Sequence, residues 1–353
     1  MRQLSIKAGP KAYDILVERG LRKEDVHIIA AAAGGPRWLI LYELDKFLYG
    51  EWLANKKERL DLIGASAGAW QMACAAQKNP VQALDKLYHY YVNQRYPERP
   101  STQEVSDKSR IITEQLLGEN GVQEILESQN RKLHVLTNVA KFNFKDKNLK
   151  FNLLKIALAN LFSRKNLNRF IERNVFSTST IPLIDEEMDI INTTRVALNT
   201  QNLPEALLAS GAIPLVIEPI RNIKGKNEVH FDGGLVDYHL NIPYNIPSDG
   251  LVLHPHFMNR IIPGWLDKYL PFRKMNSAFH DNTVLIYPSD DFLQTLPRKK
   301  IPERQDFEFY FKRDDERIEY WYDITERSKV LVEEFKELLS LDSLEGHVLR
   351  MEN

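Results

Sequence analysis

The chain has 353 residues, of which 43% are hydrophobic and 27% are charged, a composition typical of a globular protein with a sizeable buried core. Its 47 basic and 48 acidic residues give a formal charge of −1, which removes any global electrostatic reason to expect nucleic acid as a partner. The length exceeds the usual domain size of about 100–200 residues, but α/β folds often do so as single units. We therefore expect one α/β domain over residues 1–353.

The number of cysteines and the sequence of the N-terminus predict the cellular compartment of the protein. Cys74 is the single cysteine of the chain, so no internal disulfide can form, and its neighbours are alanines. A cysteine-poor chain without a signal sequence fits a reducing interior. The N-terminus has no apolar stretch of signal-peptide length, and no run approaches the roughly 18 apolar residues that span a bilayer. The sequence predicts a cytoplasmic, soluble protein with Cys74 as a small packed side chain.

Two strand–helix units open the recognisable part of the chain. Residues 26–33 form a continuous apolar run, which favours a strand buried on both faces. A turn at 34–36 follows, and then leucines recur at helical spacing over 37–49. The same order repeats with an apolar strand at 60–65, a turn over 64–68 and an alanine-rich helix. Consecutive units of this kind predict parallel strands.

The rest of the chain alternates between apolar runs and helical patterns. Further strands are predicted at 131–139, 189–197, 228–231, 250–254 and 282–287. Further helices are predicted at 80–94, 110–128, 152–173, 203–210 and 314–340. Polar, proline-bearing residues predict surface loops at 96–109 and 289–305. The whole pattern predicts an α/β fold with a mainly parallel central sheet flanked by helices.

The strongest charge anomaly is the basic segment 141–173, in which nine Lys or Arg residues stand against Asp146 and Glu172. Five of its apolar residues share one face of a helix: Phe151, Leu154, Leu158, Leu161 and Phe162. One interpretation is a packed helix with a solvated basic rim. The other is a surface that makes peripheral contact with an anionic membrane or carries a substrate lid.

Gly64-Ala65-Ser66-Ala67-Gly68 matches the G-x-S-x-G pattern, which is weak evidence when it stands alone. Its position between a predicted strand and a predicted helix is the arrangement of a nucleophile elbow. In such a turn the serine takes a strained backbone conformation, and larger flanking side chains would collide with the neighbouring strand and helix. The sequence therefore makes Ser66 a candidate nucleophile.

A serine hydroxyl needs a base within hydrogen-bond reach. Asp232, followed by Gly233 and Gly234, places a carboxylate at a strand end where the backbone turns sharply. A Ser-His-acid arrangement stays open as an alternative, because five histidines follow the serine at candidate positions: His230, His239, His254, His256 and His280. His254, His256 and His280 have no distinctive local setting, whereas His230 and His239 lie close to Asp232 in sequence.

Acyl transfer also needs hydrogen-bond donors for the developing oxyanion, and the turn after the first strand can supply them. Backbone N–H groups of a glycine turn at a helix N-terminus suit this role. Pro36 has no N–H, so Gly34, Gly35 and Arg37 are the candidate donors.

Taken together, these motifs resemble those of the patatin-like phospholipases. That family has a glycine-rich oxyanion loop followed by a basic residue, then G-x-S-x-G, then D-G-G or D-G-A. Residues 34–37, 64–68 and 232–234 stand in the same order here. Residues 203–220 also look like the family's helix and Ala-Ser-x-Ala-x-Pro segment.

The resemblance implies a patatin-like fold and a serine lipid-acyl hydrolase that cleaves esters of phospholipids or other lipids. By position, Ser66 is implied to be the nucleophile and Asp232 the base that takes its proton. Gly34 and Gly35 are implied to form the oxyanion loop, with Arg37 as its basic companion. Neither a metal nor another cofactor is required by this chemistry.

The resemblance covers roughly residues 26–245, and we expect further strands and a C-terminal helical segment over 246–353. The loop departs from the family at Ala33, where the first of three glycines usually stands, and at Trp38, where a further glycine commonly follows the basic residue. A pseudoenzyme that binds lipid or a protein partner is therefore an alternative, as is acyl transfer to an acceptor other than water. The oligomeric state stays open.

Overall fold

The computed structural model describes residues 2–142, 148–223 and 228–351, so residues 143–147 of the basic segment lie outside the described residues. The strands are β1 Leu4–Ala8, β2 Val26–Ala31, β3 Leu60–Ala65, β4 Arg131–Ala140, β5 Ile171–Ser177, β6 Thr193–Ala197, β7 Ile220–Arg221, β8 Val229–Asp232, β9 Leu251–Pro255, β10 Thr283–Pro288 and β11 Val348–Arg350. The helices are α1 Pro10–Arg19, α2 Tyr42–Phe47, α3 Ala67–Ala75, α4 Pro80–Val92, α5 Thr102–Leu117, α6 Gly121–Glu127, α7 Leu149–Phe162, α8 Leu203–Ser210, α9 Asp290–Thr295, α10 Asp306–Phe309, α11 Asp314–Arg327 and α12 Lys329–Leu339.

Within the described ranges, eleven strands form one mixed, mostly parallel sheet, as the sequence predicts. Its main order is β11-β1-β10-β9-β2-β3-β4-β5-β6, and β8 pairs with both β4 and β7. The central neighbours β10, β9, β2, β3 and β4 are parallel, whereas β1 with β10, β4 with β5 and β4 with β8 are antiparallel. Every residue of β3, β9 and β10 is buried, which explains their continuous apolar sequences.

Strand β4 brings the ends of two other strands together. Its first part, up to Leu136, pairs with β3, whose last residue Ala65 lies opposite Leu136. From Thr137 onward the same edge pairs with β8, because β5 occupies the other edge, and Thr137 lies opposite Asp232. The ends of β3 and β8 therefore meet beside two consecutive residues of β4.

Helix α3 follows β3 and is buried along its whole length. It packs on β2, β3 and β4 on one side and on α4, α5 and α8 on the others. A helix enclosed in this way needs small side chains, which accounts for its alanines and for the fully buried Cys74. The expectation that Cys74 is a packed side chain is confirmed.

Several predicted boundaries are wrong, and the reasons are local. The helix predicted at 110–128 begins earlier, at Thr102, because Ser101 caps it by accepting a hydrogen bond from the N–H of Glu104. It ends at Leu117, since Gly118 adopts a positive φ of 55°, and α6 follows as a separate helix. The predicted loop at 96–109 therefore contains the first turns of α5. The helix predicted at 314–340 divides in the same way, into α11 and α12.

Four strands and three helices of the described residues were not predicted from the sequence: β1, β5, β7 and β11, and α1, α9 and α10. Helix α7 ends at Phe162, whereas the predicted helix runs to 173, and β5 begins at Ile171 where β4 supplies its hydrogen-bonding partner. At the other end of the chain, β1 and α1 precede the first predicted strand. Strand β1 is only five residues long, and its pairing with β10 and β11 rather than its composition makes it a strand.

Candidate active site

Ser66 occupies the tip of the turn between β3 and α3. Its backbone φ is 56° and its ψ is −128°, a left-handed conformation that is strained for any residue other than glycine. This is the strained turn that the G-x-S-x-G pattern predicts, and it presents the hydroxyl at the carboxyl end of a central parallel strand.

The glycines on either side of Ser66 permit a close approach of backbone to backbone. A Cβ atom added at Gly64 would lie 2.4 Å from the carbonyl oxygen of Gly68, and one at Gly68 would lie 2.1 Å from the carbonyl oxygen of Ala31. Both distances are far below any real contact. The two glycines are therefore required for α3 to start against the end of β2.

The Ser66 hydroxyl donates a hydrogen bond to Asp232, with 2.7 Å between its Oγ and the carboxylate Oδ2. The other carboxylate oxygen, Oδ1, accepts the N–H of Gly234 at 2.6 Å. A Cβ atom at Gly233 would lie 2.3 Å from the carbonyl oxygen of Leu136, so this turn also depends on glycine. The structure thus brings together Ser66 and Asp232, which are 166 residues apart in sequence.

The electrostatic setting of Asp232 makes it a stronger base than an exposed aspartate. Only 6% of the residue is exposed, and burial raises the pKa of its carboxyl to about 6. The Ser66 hydroxyl, the Gly234 N–H and the charge of Arg304 act in the opposite direction and limit the rise of the pKa. A carboxylate with this pKa is largely ionised at neutral pH and can accept a proton from a hydroxyl that attacks an ester.

Two buried polar side chains hold these turns, and the sequence analysis assigned a role to neither. The hydroxyl of Ser210, at the end of α8, accepts the N–H of Ser66 at 2.8 Å and donates to the carbonyl of Leu136 at 2.7 Å. The Nδ2 group of Asn138, on β4, donates to the carbonyls of Asp232 at 2.7 Å and Gly233 at 3.0 Å. Ser210 lies in the Ala-Ser-x-Ala-x-Pro segment, which was the available signal for it.

A buried ion pair fixes the segment after the Asp232 turn. Arg173, on β5, donates two hydrogen bonds of 2.6 Å to the carboxylate of Asp237. Both side chains are about 1% exposed, and Arg173 also binds Asp189. Because β5 was not predicted from the sequence, the pairing of Arg173 with Asp237 was not predicted either.

The candidate oxyanion loop lies at the end of β2, next to both turns. Ala33 donates its N–H to the carbonyl of Tyr238 at 2.8 Å, and a Cβ atom at Gly234 would lie 2.6 Å from the Cβ of Ala33. Gly35 has a positive φ of 56°, which glycine adopts without strain. Within the described part of the chain, the N–H groups of Gly34 and Gly35 have no hydrogen-bond acceptor. Free N–H donors of this kind are what an oxyanion site requires.

The side chain of Arg37 contacts polar groups of Tyr238 and Glu303, whereas the side chain of Trp38 packs in the core. The Arg37 guanidinium donates to the hydroxyl of Tyr238 at 3.3 Å and lies 3.6 Å from a carboxylate oxygen of Glu303. Trp38 is 1% exposed and packs edge-on against Tyr91, with 5.7 Å between ring centroids. Trp38 therefore packs in the core next to the loop.

The five candidate histidines are all buried, and none hydrogen-bonds to Ser66 within the described residues. His239, His254 and His256 form a cluster of rings, in which 4.4 Å separates the centroids of His239 and His256. Burial lowers the pKa of each of these three side chains, so they are neutral. His280 is held by Asn241, and His230 lies 3.2 Å from Thr137. The hydroxyl of Ser66 has a carboxylate as its partner rather than an imidazole.

An apolar cleft lies beside Asp232. Phe231 and Leu235, on either side of the Asp232 turn, line one part of it, and Leu153 and Ile156 of α7 line another. The other lining residues are Ala140, Phe142, Ile171 and Pro214. Its free volume is about 10 Å³, so side chains must move before an acyl chain can enter.

Three cationic side chains gather near the same site. Arg37 lies on the oxyanion loop, Lys268 lies in the 3₁₀-helix Trp265–Tyr269, and Arg304 lies close enough to Asp232 to lower its pKa. Burial and the charges of Arg37 and Arg304 lower the pKa of Lys268, whereas Glu303 raises it. A surplus of positive charge at this position favours an anionic group on a bound molecule.

No group of three or more His, Cys, Asp or Glu side chains is arranged to hold a metal ion in the described residues. Over the same residues, no helix has both the length and the apolarity needed to cross a bilayer.

Comparison with known proteins identifies a family and similar solved structures. The family model for patatin-like phospholipases matches residues 46–245, which is more than half of the chain. The crystal structure of VipD from Legionella pneumophila is similar, at 14% sequence identity and a TM-score of 0.30. That alignment covers 70% of this chain and 53% of VipD, so it spans about half of VipD's length. A comparison with curated protein sequences finds no match.

Proposed function

The chain belongs to the patatin-like phospholipase family, and from this premise we propose that it is a serine lipid-acyl hydrolase acting through a Ser66–Asp232 dyad. Family membership supports a lipid-hydrolase type of function, and the proposal adds the residues and the reaction. The single observation that carries it is the 2.7 Å hydrogen bond from the Ser66 hydroxyl to Asp232.

In the first half of the proposed reaction, the Ser66 oxygen attacks the carbonyl carbon of an ester while Asp232 takes the hydroxyl proton. The carbonyl oxygen becomes an oxyanion and accepts hydrogen bonds from the N–H groups of Gly34 and Gly35. The tetrahedral intermediate then releases the alcohol, which receives the proton held by Asp232. An acyl group remains bound to the Ser66 oxygen.

In the second half, water takes the place of the alcohol. Asp232 removes a proton from the water as the water oxygen attacks the acyl carbon, and the same N–H groups bind the second oxyanion. When the intermediate collapses, the Ser66 oxygen leaves and recovers the proton from Asp232, and a fatty acid is released. The raised pKa of Asp232, about 6, suits a group that must alternately accept and donate a proton near neutral pH.

We propose a phospholipid rather than a neutral lipid as the substrate, because of the charge around the site. Arg37, Lys268 and Arg304 are cationic, and Glu303 is the nearby carboxylate that partly offsets them. A phosphate group a few bonds from the scissile ester would find positive charge in this region, whereas a triacylglycerol has no group to use it.

Labelling with a fluorophosphonate probe tests the proposal most directly, because the probe reacts with activated serines only. The native chain should be labelled, and Ser66→Ala should not be labelled. Ser340→Ala, at an exposed serine at the end of α12, is the matched control and should be labelled like the native chain. Absence of labelling in a folded native chain would overturn the hydrolase and favour a lipid-binding pseudoenzyme.

A further inference from the structure

Helix α7 presents an unusual outer face. Its residues at i, i+3, i+7, i+10 and i+11 are apolar and exposed: Phe151 by 57%, Leu154 by 55%, Leu158 by 49%, Leu161 by 42% and Phe162 by 82%. At about 100° per residue, these five side chains share one side of the helix. Five large apolar side chains on one solvated helix face make a contiguous patch, which marks an interaction site on a globular protein.

The inner face of α7 is held firmly to the rest of the protein. Asn160 is 1% exposed and donates a 2.7 Å hydrogen bond to Asp267. Arg273 donates to the carbonyls of Asn160 at 2.6 Å and Leu161 at 3.2 Å, which closes the end of the helix. The next residue back, Phe272, is 64% exposed and adds a further apolar side chain beside that end. The outer face is therefore a fixed feature of the surface.

Positive charge surrounds the apolar face. Residues 148–171 contain five Lys or Arg and no acidic residue. Lys150, Lys155, Lys165 and Arg169 are exposed, and none of them forms an ion pair within the described residues. The amino group of Lys155 lies 4.4 Å from the centroid of the Phe151 ring, at the edge of the face. Apolar side chains can enter the boundary between headgroups and acyl chains of a leaflet, and unpaired cations beside them are attracted to anionic headgroups.

The face is also connected with the candidate active site. Leu153 and Ile156, on the inner side of the same helix, line the apolar cleft together with Phe231 and Leu235, which flank the Asp232 turn. Leu215, beside the Pro214 that lines this cleft, is 49% exposed. The helix that would contact a leaflet thus also lines the cleft beside Asp232.

We propose that the outer face of α7 docks the protein on a membrane surface that contains anionic phospholipids. This rests on the proposed function, since a leaflet is where a lipid ester is found. The charge argues against a second copy of the chain as the occupant, because a symmetric contact would place the four exposed cations of one copy against the same four of the other. A lipid surface supplies the negative charge that such a contact lacks.

Vesicle co-sedimentation of the full chain tests the docking surface. Ser66→Ala serves as the parent, so that hydrolysis does not alter the vesicles during the measurement. We expect stronger binding to vesicles of phosphatidylcholine with phosphatidylglycerol than to phosphatidylcholine alone, and weaker binding as salt is raised. Equal binding to both kinds of vesicle would overturn the electrostatic part of the proposal, and no binding to either would overturn the whole of it.

Two double variants assign the binding to this face. Leu158→Gln with Phe162→Gln should weaken binding about tenfold or more, since two apolar side chains no longer enter the leaflet. The matched control is Ile181→Gln with Leu349→Gln, at positions that are 59% and 56% exposed away from α7. Lys150→Gln with Lys155→Gln should weaken binding to anionic vesicles about 30-fold, which corresponds to about 1 kcal/mol per lysine. Lys329→Gln with Lys336→Gln, on α12, is its control.

The outcomes separate the docking surface from the chemistry. If the α7 variants bind like the parent while circular dichroism shows them folded, the docking proposal is wrong. If gel filtration shows a dimer of the parent that the Leu158 and Phe162 changes convert to a monomer, the occupant is a second copy and the proposal is overturned. Binding by the parent together with a native chain that no fluorophosphonate labels would leave docking standing and remove the hydrolase.

Discussion

The hydroxyl of Ser210 holds the backbone of Ser66, accepting its N–H at 2.8 Å while donating to the carbonyl of Leu136 at 2.7 Å. Ser66 has a strained φ of 56° directly after the last residue of β3, and its N–H finds its acceptor in a side chain from another helix. One side chain from α8 thus ties the strained turn to β4. Ser210 is a positioning residue for the candidate nucleophile.

Replacing Ser210→Ala should lower both stability and activity. The N–H of Ser66 and the carbonyl of Leu136 would each lose a buried partner, at a cost of about 1–3 kcal/mol. The released turn should lower kcat for ester hydrolysis while KM stays unchanged. Ser109→Ala is the control, since among the described residues that buried hydroxyl bonds only to Val105 of its own helix. An unchanged kcat in a folded Ser210→Ala protein would show that the contact is structural alone.

Replacing Asp232→Asn tests the carboxylate as the base. We expect hydrolysis to fall by about 100-fold or more, because an amide cannot take the hydroxyl proton. Asp290→Asn, at an exposed carboxylate at the start of α9, should keep full activity. Full activity of Asp232→Asn would remove the dyad and favour a histidine as the base.

The pH dependence of kcat/KM should follow the ionisation of Asp232. The base acts in its charged form and its pKa is about 6, so activity should be half-maximal near pH 6 and fall about tenfold per unit below it. The charge of Arg304 lowers this pKa, so Arg304→Ala should move the midpoint to higher pH. A midpoint near 4, the ordinary value for an exposed aspartate, would show that burial does not raise the pKa as proposed.

Gly68→Ala should displace α3 from the end of β2. The new Cβ would lie 2.1 Å from the carbonyl oxygen of Ala31, so the backbone must shift. We expect a loss of about 1–3 kcal/mol or more in the free energy of unfolding, measured in urea, together with loss of activity. At Gly346 a Cβ would meet nothing within 4 Å, so any loss in Gly346→Ala comes from the positive φ of 73° at that residue, a strain that Gly68 does not have. A Gly68→Ala protein as stable as the native chain would contradict the close approach.

The cationic side chains near the site predict a preference for phospholipid. Lys268→Ala and Arg304→Ala should raise KM for a phospholipid about tenfold and leave KM for an uncharged short-chain ester unchanged. The assay belongs at roughly pH 8, where Asp232 is ionised whether or not Arg304 is present. Arg350→Ala, at an exposed arginine in β11, is the control. An equal rise of KM for both substrates would show that the two cations do not bind the phosphate group of the phospholipid.

Much of the candidate site follows from local sequence, because its chemistry is local. A strained serine turn needs glycine or alanine around it, a strand before it and a helix after it, and all of these are visible in residues 60–75. The Asp232-Gly233-Gly234 turn is identified in the same way, by a carboxylate at a strand end. The mainly parallel sheet also follows from the order of apolar strands and amphipathic helices, since a parallel connection needs a crossover helix.

Other features depend on partners distant in sequence. The sequence predicts a helix that runs to 173 and no strand after it, so β5 is recognised only by its hydrogen bonds with β4. The pairing of Arg173 with Asp237 depends on that strand. Asn138 has no local signal either, because its contacts are carbonyls about 95 residues further along the chain. Burial likewise sets the pKa of Asp232, and burial belongs to the whole fold.

Helix α7 shows most clearly what local sequence determines and what tertiary packing determines. Its sequence alone predicts a helix with apolar side chains on one face and many cations, which fits a packed helix as well as a lipid-binding surface. Only the tertiary structure decided which face is covered, because contact with Asp267 and the apolar cleft takes one side and leaves Phe151, Leu158 and Phe162 in solvent. Local sequence determines which residues share a face of an element, whereas packing against distant elements determines which of those faces water reaches.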